Sequence, residues 1–442
     1  MVVSFKKIIS LAWPIALTNV VSLIAVLVNT KIVANISSHY LYILSLYLPL
    51  NYFVISLFES LKVPATTIAA IAHGEKKYHL INEKLWLLYG VVFVCLAIPI
   101  ILVISFPKLT AFLFSITNTD VLFEFQRFSI WMLVAAFGLT LFYISLSLYN
   151  GLSQPRKALI FSLSAIVLSS ILTLVLAKTS TLGIESLPCA MIISYFFFLV
   201  IILIQLYRIR FLKTPSLYSL FSLKNYLYLR QLALPVFLTY SAITLMLLVI
   251  NKLLMPFGNE ILAGFGLAYR IQVIALLPAI SIGVALGILV NQSYIDDRNF
   301  LIRGILKKGI ISCVLLYILL TPFIWLLATK MMGCITANQH IINAAVMYLR
   351  IVGPSYIGLA ICLVYFVYLD QTGLGLNSLC LTTLMIALEL TCAKLALNFY
   401  PYPNTLYWVL DLGNFIFGGV VFFVVMYCPQ RLLLTPKIIA RG

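Results

Sequence analysis

The sequence predicts an all-α integral membrane protein with twelve transmembrane helices. Of its 442 residues, 63% are hydrophobic and only 9% are charged, whereas a soluble domain carries roughly a quarter charged residues. Apolar runs of about twenty residues or more, long enough to cross a bilayer as a helix, recur along the chain. Basic residues gather at the ends of these runs, so the net charge of +17 indicates membrane topology rather than nucleic-acid binding.

The apolar runs define the expected spans. We place them at 8–36, 41–72, 85–106, 128–150, 158–177, 182–206, 231–257, 261–294, 309–329, 342–369, 376–399 and 405–427. Many contain a proline, and in lipid such breaks persist only where neighbouring groups satisfy the freed carbonyls. These prolines are Pro14, Pro49, Pro64, Pro99, Pro188, Pro235, Pro278 and Pro354.

Lysine and arginine set the expected orientation. Of the 29 basic residues, 19 fall in alternate loops and tails on the same side as both ends of the chain, 6 fall on the opposite side and 4 lie within spans. Because short cytoplasmic loops are enriched in Lys and Arg, both termini are expected in the cytoplasm and the protein in the cytoplasmic (inner) membrane. The eight cysteines include no Cys-x-x-Cys pair, so the pattern implies neither a disulfide framework nor a zinc site.

The chain contains an internal repeat at a spacing of about 221 residues, half its length. Leu-Ala-Trp-Pro, ending at Pro14, recurs as Leu-Ala-Leu-Pro, ending at Pro235, and Gly151-Leu-Ser matches Gly373-Leu-Gly. Each half holds six spans, so both halves enter the membrane from the same side. The prediction is two six-helix lobes related by a pseudo-twofold axis along the membrane normal. The lobes are 1–207 and 231–430, joined by a cytoplasmic linker at 208–230 and followed by a cytoplasmic tail at 431–442.

A few acidic residues within the spans are candidates for ion coupling, because charge at mid-membrane depth is costly unless it faces a cavity or a partner. Glu59 lies three residues before Lys62, on one helical face, which fits either an ion pair or a transport role. Glu389 lies near the middle of the eleventh span and is the favoured proton or cation carboxylate. Asp370 is expected to be a solvated acid at a span end, with a transport role as the alternative, and Asp411 to be a helix-start cap.

Polar and basic groups near the outer ends of the first and seventh spans form a second set. Asn29 and Lys31 belong to the first span, and Asn251 and Lys252 to the seventh. If these groups line a cavity, it would favour an anionic or zwitterionic solute. The alternative for the lysines is snorkelling to the lipid interface.

Three segments resemble the MATE (multidrug and toxic compound extrusion) transporters of the MOP flippase superfamily. Phe265-Gly-Leu-Ala-Tyr-Arg-Ile, with Ala275-Leu-Leu-Pro-Ala-Ile-Ser-Ile-Gly and Leu289-Val-Asn-Gln, is similar to the eighth-helix signature of that family. The opening of the first helix at Leu11 and the turn that starts at Asn150 also resemble it. The resemblance covers essentially the whole chain.

The resemblance implies two lobes around a large cavity and alternating access driven by Na⁺ or H⁺, commonly exporting organic cations. Arg270 matches the family's arginine, which implies that it holds its helix or anchors a partner carboxylate. The chain departs from the family at three places. Asn29-Thr stands where the family usually has Asp-Thr, the seventh span has no acidic residue in its apolar core, and 293–296 replaces a Gly-x-Gly loop.

Three classes of function are compatible with a chain of this kind to different degrees. The first is a MATE-type H⁺- or Na⁺-coupled antiporter that exports small amphipathic compounds. The second is an exporter or flippase of an anionic metabolite or lipid-linked saccharide on the same fold. The third, an intramembrane enzyme, ranks last because the four histidines (His39, His73, His79 and His340) lack metal-ligand spacing and no phosphate-binding loop is present. We therefore expect no enzyme activity, no cofactor or metal other than the coupling ion, and no nucleic-acid partner. The expected partners are the bilayer and a small solute, and the expected state is a monomer.

Overall fold

The computed structural model is all-α over the residues it describes, which are 5–36, 40, 43–44, 46–114, 116, 118–180, 182–208, 223–293, 299–333 and 338–427. We number its α-helices in chain order. They are α1 Phe5–Ile36, α2 Leu48–Glu75, α3 His79–Ser105, α4 Pro107–Leu113, α5 Thr119–Gly151, α6 Pro155–Thr179, α7 Ser186–Arg208, α8 Leu223–Leu254, α9 Asn259–Ser293, α10 Asn299–Gly333, α11 Gln339–Val352, α12 Tyr356–Gln371, α13 Gly375–Phe399 and α14 Pro403–Tyr427.

Twelve of the described helical segments are long and apolar enough to cross a membrane. They correspond one to one to the twelve spans expected from the sequence, so that prediction is confirmed. The tenth span is built from two helices, because α11 and α12 are separated by a 3-10 turn at Gly353–Ser355. Pro354 lies in this turn, where its missing N–H cannot continue the ladder of α11.

The prolines behave in two ways. Six prolines lie inside their helices: Pro14, Pro64, Pro99, Pro235, Pro278 and Pro322. Pro49, by contrast, stands in the first turn of α2, inside the span Leu48–Glu75 as expected but at its very start. A first-turn position suits proline because the N–H it lacks would have no partner inside the helix.

Inter-residue contacts divide the chain into two compact units. One comprises Met1–Ala16 with Leu234–Arg441, and the other comprises Leu17–Ala233. In both halves the second and fourth spans are the inner helices: α2, α5, α9 and α11–α12 have 67–72% of their most apolar window buried, against 17–39% for the other spans. This equivalence is what the half-chain repeat predicts. The lobe boundaries and the symmetry axis stay predictions, and the linker at 209–222 and the tail at 428–442 lie outside the described residues.

Large apolar side chains cover the outer helices. Phe93 and Ile98 on α3, Leu384 on α13, and Ile416 and Phe423 on α14 are more than half exposed. In water such a surface would be strongly unfavourable, and in a bilayer it contacts lipid at no hydrophobic penalty. Polar side chains are correspondingly found inside the units.

Candidate functional site

Glu389 is buried on the inner face of α13. The buried residues of this helix recur every three or four positions, which is the spacing of one helical face. Glu389 is 4% exposed, and its Oε1 has no hydrogen-bond partner among the described residues. A carboxylate in this position cannot be a solvated surface acid. Its burial fits the choice of Glu389 as the favoured carboxylate, and its role in ion coupling stays a prediction.

The surroundings of Glu389 are polar but uncharged. Its carboxylate lies within electrostatic reach of the Tyr348 hydroxyl on α11 and the Cys362 thiol on α12. On the remaining side, α14 approaches at Gly413, where an added Cβ would lie 2.7 Å from Glu389 Oε1. None of these groups is a cation. Glu389 is thus a buried carboxylate that forms no ion pair in the part of the chain described.

Tyr348 connects this carboxylate to a network of buried aromatic and amide groups. Its hydroxyl donates to Oε1 of Gln272 at 2.5 Å, and its ring meets that of Tyr407 edge to face at 5.0 Å between centroids. The hydroxyls of Tyr356 and Tyr407 are buried without a hydrogen-bond partner among the described residues. Apolar runs do not reveal which tyrosines turn inwards, so the sequence alone does not find this network.

Asp411 is a second buried acid of the same unit. It lies in the interior of α14, eight positions after the helix begins at Pro403, and it is 5% exposed. The expectation that it caps a helix start is therefore wrong. Ser355, in the 3-10 turn between α11 and α12, interacts with its carboxylate and also accepts a hydrogen bond from Asn414 Nδ2 at 3.0 Å. Oδ1 of Asp411 has no partner among the described residues.

Asp370 is a third buried acid, at the end of α12. It is 7% exposed, so the expectation of a solvated acid is wrong. Ser378, in the first turn of α13, lies beside it. The neighbouring Gln371 carbonyl accepts a hydrogen bond from Asn291 Nδ2 at 2.8 Å, which fixes the end of α12 against α9. A residue near a span end is expected to be solvated. Asp370 is not solvated, because the end of α12 packs against α9 and α13.

The other unit contains the ion pair that the three-residue spacing predicts. Lys62 Nζ lies 2.9 Å from both carboxylate oxygens of Glu59 and 4.5 Å from the centroid of the Phe58 ring. The ring of Tyr143 packs edge to face on Phe58, and its hydroxyl lies 2.9 Å from Ser22 Oγ. Glu59 therefore has a partner in its own helix, which makes it different in kind from the three acids of α12–α14.

The chain matches the MatE family model twice, over residues 14–175 and 235–395. The chain belongs to the MatE family. The two matches begin at residues 14 and 235, the two prolines from which the repeat was inferred, so the internal repeat is confirmed.

Solved MATE structures share the fold. The Vibrio cholerae MATE transporter VcmN, in an aspartate-to-asparagine variant, superposes with a TM-score of 0.88 at 18% identity, over 95% of this chain and 96% of that one. A MOP-superfamily transporter from Pyrococcus furiosus, described as having a binding pocket of reverse polarity that suggests a different function, gives a TM-score of 0.85 at 16% identity over 95% of each chain. No curated protein matches the sequence significantly. The chain is thus a multi-pass membrane transporter with the MATE fold.

In this MATE transporter the first-helix position that usually holds aspartate is Asn29. The residue is half-buried in α1, and its Oδ1 has no hydrogen-bond partner among the described residues. Lys31 of α1 and Asn251 of α8 are both exposed. Asn29 and Lys31 belong to one unit and Asn251 to the other. The departure at 294–296 lies outside the described residues.

Arg270 is exposed on α9. Within the described part of the chain it makes no ion pair or hydrogen bond, so no partner carboxylate is found there for the arginine that matches the family's. The bidentate arginine pair in this structure is a different one. Arg127 on α5 binds both carboxylate oxygens of Glu185, a 9%-exposed side chain in the turn before α7. No sequence pattern predicts this pair, because its partners are 58 positions apart.

The described residues include no group of three or more His, Cys, Asp or Glu that could hold a metal ion. The unit that contains α9 to α14 instead has three separate buried carboxylates, Asp370, Glu389 and Asp411. Each has one oxygen without a partner among the described residues and lies among hydroxyl and amide groups. Such groups suit reversible binding of a proton or a weakly held monovalent cation, because the neutralised form loses the penalty of burying a bare charge.

Proposed function

We propose that this MatE-family protein is a secondary active transporter that exports small amphipathic compounds by alternating access, in antiport with H⁺ or Na⁺. The observation that carries the proposal is Glu389, a carboxylate near the middle of a membrane span with 4% exposure and an unpartnered oxygen. A group of this kind is expected to take part in ion movement, since membrane interiors rarely retain an uncompensated acid for packing alone.

The coupling step follows from the energetics of burial. A bare carboxylate inside the unit has lost its water, and no described lysine, arginine or histidine is close enough to replace it. Binding a proton or Na⁺ removes the charge, so the occupied state can pack in a closed arrangement that the empty, charged state disfavours. A cation bound at Glu389 would therefore shift the populations of the two access states, which is the requirement for coupling.

The proposal places the protein in the cytoplasmic membrane as a monomer with both termini inside. The excess of lysine and arginine in alternate loops supports this orientation, because basic residues keep short loops on the cytoplasmic side. The partners in this arrangement are the lipid bilayer and the transported solute.

The test is uptake of ethidium into inside-out vesicles under an imposed H⁺ or Na⁺ gradient. Wild type should accumulate the dye under at least one gradient, and Glu389→Gln should abolish that dependence because the amide cannot bind a proton. Glu260→Gln is the matched control: it makes the same chemical change in the same unit, on a side chain that is 56% exposed. Unchanged gradient dependence in Glu389→Gln would refute the assignment.

A second candidate is export of an anionic solute, such as a metabolite or a lipid-linked saccharide. Lys31, Lys252 and Arg270 are exposed within or near span ends and make no ion pair with a described residue. Lys31 and Lys252 are also equivalent in the repeat, with the spacing that separates the family matches at 14 and 235. A transporter of organic cations gains nothing from such groups if they face its solute, whereas an anion would be held by them.

Neutralising both lysines separates the two candidates. The Lys31→Gln/Lys252→Gln variant should transport ethidium at the wild-type rate or faster if the substrate is an organic cation. No dye transport by folded wild type under either gradient, together with anion-dependent thermal stabilisation that this variant loses, would favour the second candidate.

A further inference from the structure

A line of buried polar side chains leads from the end of α12 to Glu389. Gly375, Ser378, Thr382, Met385 and Glu389 are buried at spacings of three or four along α13, so they share one face. The opposite face is apolar and exposed, as at Leu384 and Leu388. We call Asp370, Ser378, Thr382 and Glu389 the α13 polar stripe.

Each member of the α13 polar stripe has a buried oxygen that forms no full hydrogen bond with a described residue. Thr382 Oγ1 and one carboxylate oxygen each of Asp370 and Glu389 are buried and have no hydrogen-bond partner among the described residues. Ser378 Oγ is buried too and forms no bond of full hydrogen-bond geometry, although it lies close enough to the Asp370 carboxylate to interact with it. Exposure of the four residues is 0% to 9%. Buried polar atoms are nearly always hydrogen-bonded, to protein or to ordered water. Three such atoms on one face of α13, with Asp370 beside them at the end of α12, therefore indicate a row of bound water.

The neighbouring residue Thr383 shows that this condition is not a general property of α13. Its hydroxyl donates to the Leu379 carbonyl one turn back, at 2.7 Å. Ser281 and Ser312, in α9 and α10, use the same internal bond at 2.8 Å. Hydroxyls in membrane helices ordinarily satisfy themselves in this way. Ser378 and Thr382 do not make this internal bond, so their hydroxyls can bind another polar group or water on the inner face of α13.

The geometry of the stripe matches a route from one end of the span to its middle. Asp370 is one residue from the end of α12, and Gly373, at φ +79°, turns the chain so that Ser378 of α13 lies beside it. From Ser378 to Glu389 the helix rises by about 16 Å. Met385 occupies this face between Thr382 and Glu389, and its unbranched thioether chain can change rotamer to admit water.

We propose that the α13 polar stripe is the route by which the coupling cation, a proton or Na⁺, passes between the cytoplasm and Glu389, with Asp370 at its mouth. The inference rests on the proposed role of Glu389 and on the orientation that places the end of α12 at the cytoplasmic face. Asp370, buried at the end of α12, is the first carboxylate that the cation meets. The two hydroxyls and intervening water then replace the cation's hydration shell, and Glu389 binds it at the end of the route.

Cysteine accessibility tests the route without relying on transport. In a background with the native cysteines replaced, Ser378→Cys and Thr382→Cys probe the stripe. Leu384→Cys is the matched control, since it lies within two residues of Thr382 on the exposed face. A small, membrane-impermeant cationic methanethiosulfonate is applied to the cytoplasmic side of inside-out vesicles. Because only a hydrated thiolate reacts, the stripe cysteines should be labelled roughly tenfold faster than the control, or more.

Asp370 supplies the second arm. Asp370→Asn should slow labelling of Ser378→Cys by the cationic reagent and leave labelling by a neutral reagent of similar size unchanged. It should also slow transport under whichever gradient, H⁺ or Na⁺, drives the wild type, which identifies the ion that uses the route. Labelling of both stripe cysteines no faster than that of Leu384→Cys, with or without either gradient, would overturn the proposal.

The outcomes separate this inference from the proposed function. If Glu389→Gln keeps its gradient dependence, coupling at Glu389 fails whatever the labelling shows. If Glu389→Gln loses that dependence while Ser378→Cys and Thr382→Cys stay unreactive, Glu389 remains the coupling group and the cation reaches it by another route.

Discussion

Glu389 on α13 and Gly413 on α14 meet so closely that a single added carbon would displace the carboxylate. A Cβ at Gly413 would lie 2.7 Å from Oε1 and 2.8 Å from Cγ of Glu389. Contacts below about 3 Å between such atoms do not persist, so the long side chain would have to move. The missing side chain of Gly413 therefore defines where the carboxylate sits.

Gly413→Ala should impair coupling more than it impairs folding. The methyl group pushes Glu389 away from α14 and alters its surroundings, while alanine itself favours the helix by up to about 1 kcal/mol. We expect gradient-driven dye accumulation to fall by roughly tenfold, which corresponds to about 1.4 kcal/mol. Gly419→Ala is the control, since no atom lies within 4 Å of its added Cβ. Equal transport by the two variants would show that the position of Glu389 is unimportant.

Gly418 supports the packing of the same helices rather than the site. Its added Cβ would lie 2.4 Å from the Cα of Gly358, so α12 and α14 cross here with backbone against backbone. Small residues permit such close crossings in membranes. Gly418→Ala should destabilise the protein by about 1–3 kcal/mol and lower its melting temperature in detergent. Gly419→Ala again serves as control, and a melting temperature for Gly418→Ala at or above that of the control would contradict the described crossing.

The Glu59–Lys62 pair should behave as a structural interaction of intermediate strength. The side chains are 27% and 21% exposed, so solvent screens them only in part. A double-mutant cycle with Glu59→Gln and Lys62→Met should give a coupling energy of roughly 1–2 kcal/mol, between the values for surface and fully buried pairs. The Glu75–Lys77 pair, whose lysine is 59% exposed, should give less. A near-zero energy for the first pair would leave Glu59 free for another role.

Asn29 should be dispensable for coupling if Glu389 performs it. Asn29→Asp restores the carboxylate that the family usually has in its first helix, yet it should not return gradient dependence to a Glu389→Gln protein. The measurement is dye uptake by the single and double variants under each gradient. Recovery of gradient-driven uptake in the double variant would mean that the first-helix position still governs coupling in this chain.

The sequence predicted the spans well because hydropathy and length alone determine them. Glu389 also stands out in the sequence, because a carboxylate in the middle of an apolar run is costly unless it faces a cavity or a partner. The structure finds it buried, and its coupling role stays a prediction. The pairing of Glu59 with Lys62 followed from helical spacing, which is local. These successes share one property: each depends on residues within a few turns of one another.

The misjudged residues depended on packing between helices. Asp370 and Asp411 lie near apparent run ends and were expected to be wet or to cap a helix. Asp370 is buried because the end of α12 packs against α9 and α13. Asp411 is buried because it lies on the inner face of α14, beside Ser355. The bond between Tyr348 and Gln272 and the pair between Arg127 and Glu185 join residues 76 and 58 positions apart. Sequence periodicity cannot detect pairs so far apart in the chain, because only folding brings their partners together.

The most direct test of coupling at Glu389 compares uphill accumulation with exchange in the same proteoliposomes. A transporter that has lost only its coupling group should still exchange internal for external substrate, because alternating access with substrate bound does not require the cation. We predict that Glu389→Gln retains substrate exchange while losing accumulation driven by an H⁺ or Na⁺ gradient, and that Glu260→Gln retains both. Gradient-driven accumulation by Glu389→Gln at the wild-type level would contradict the account.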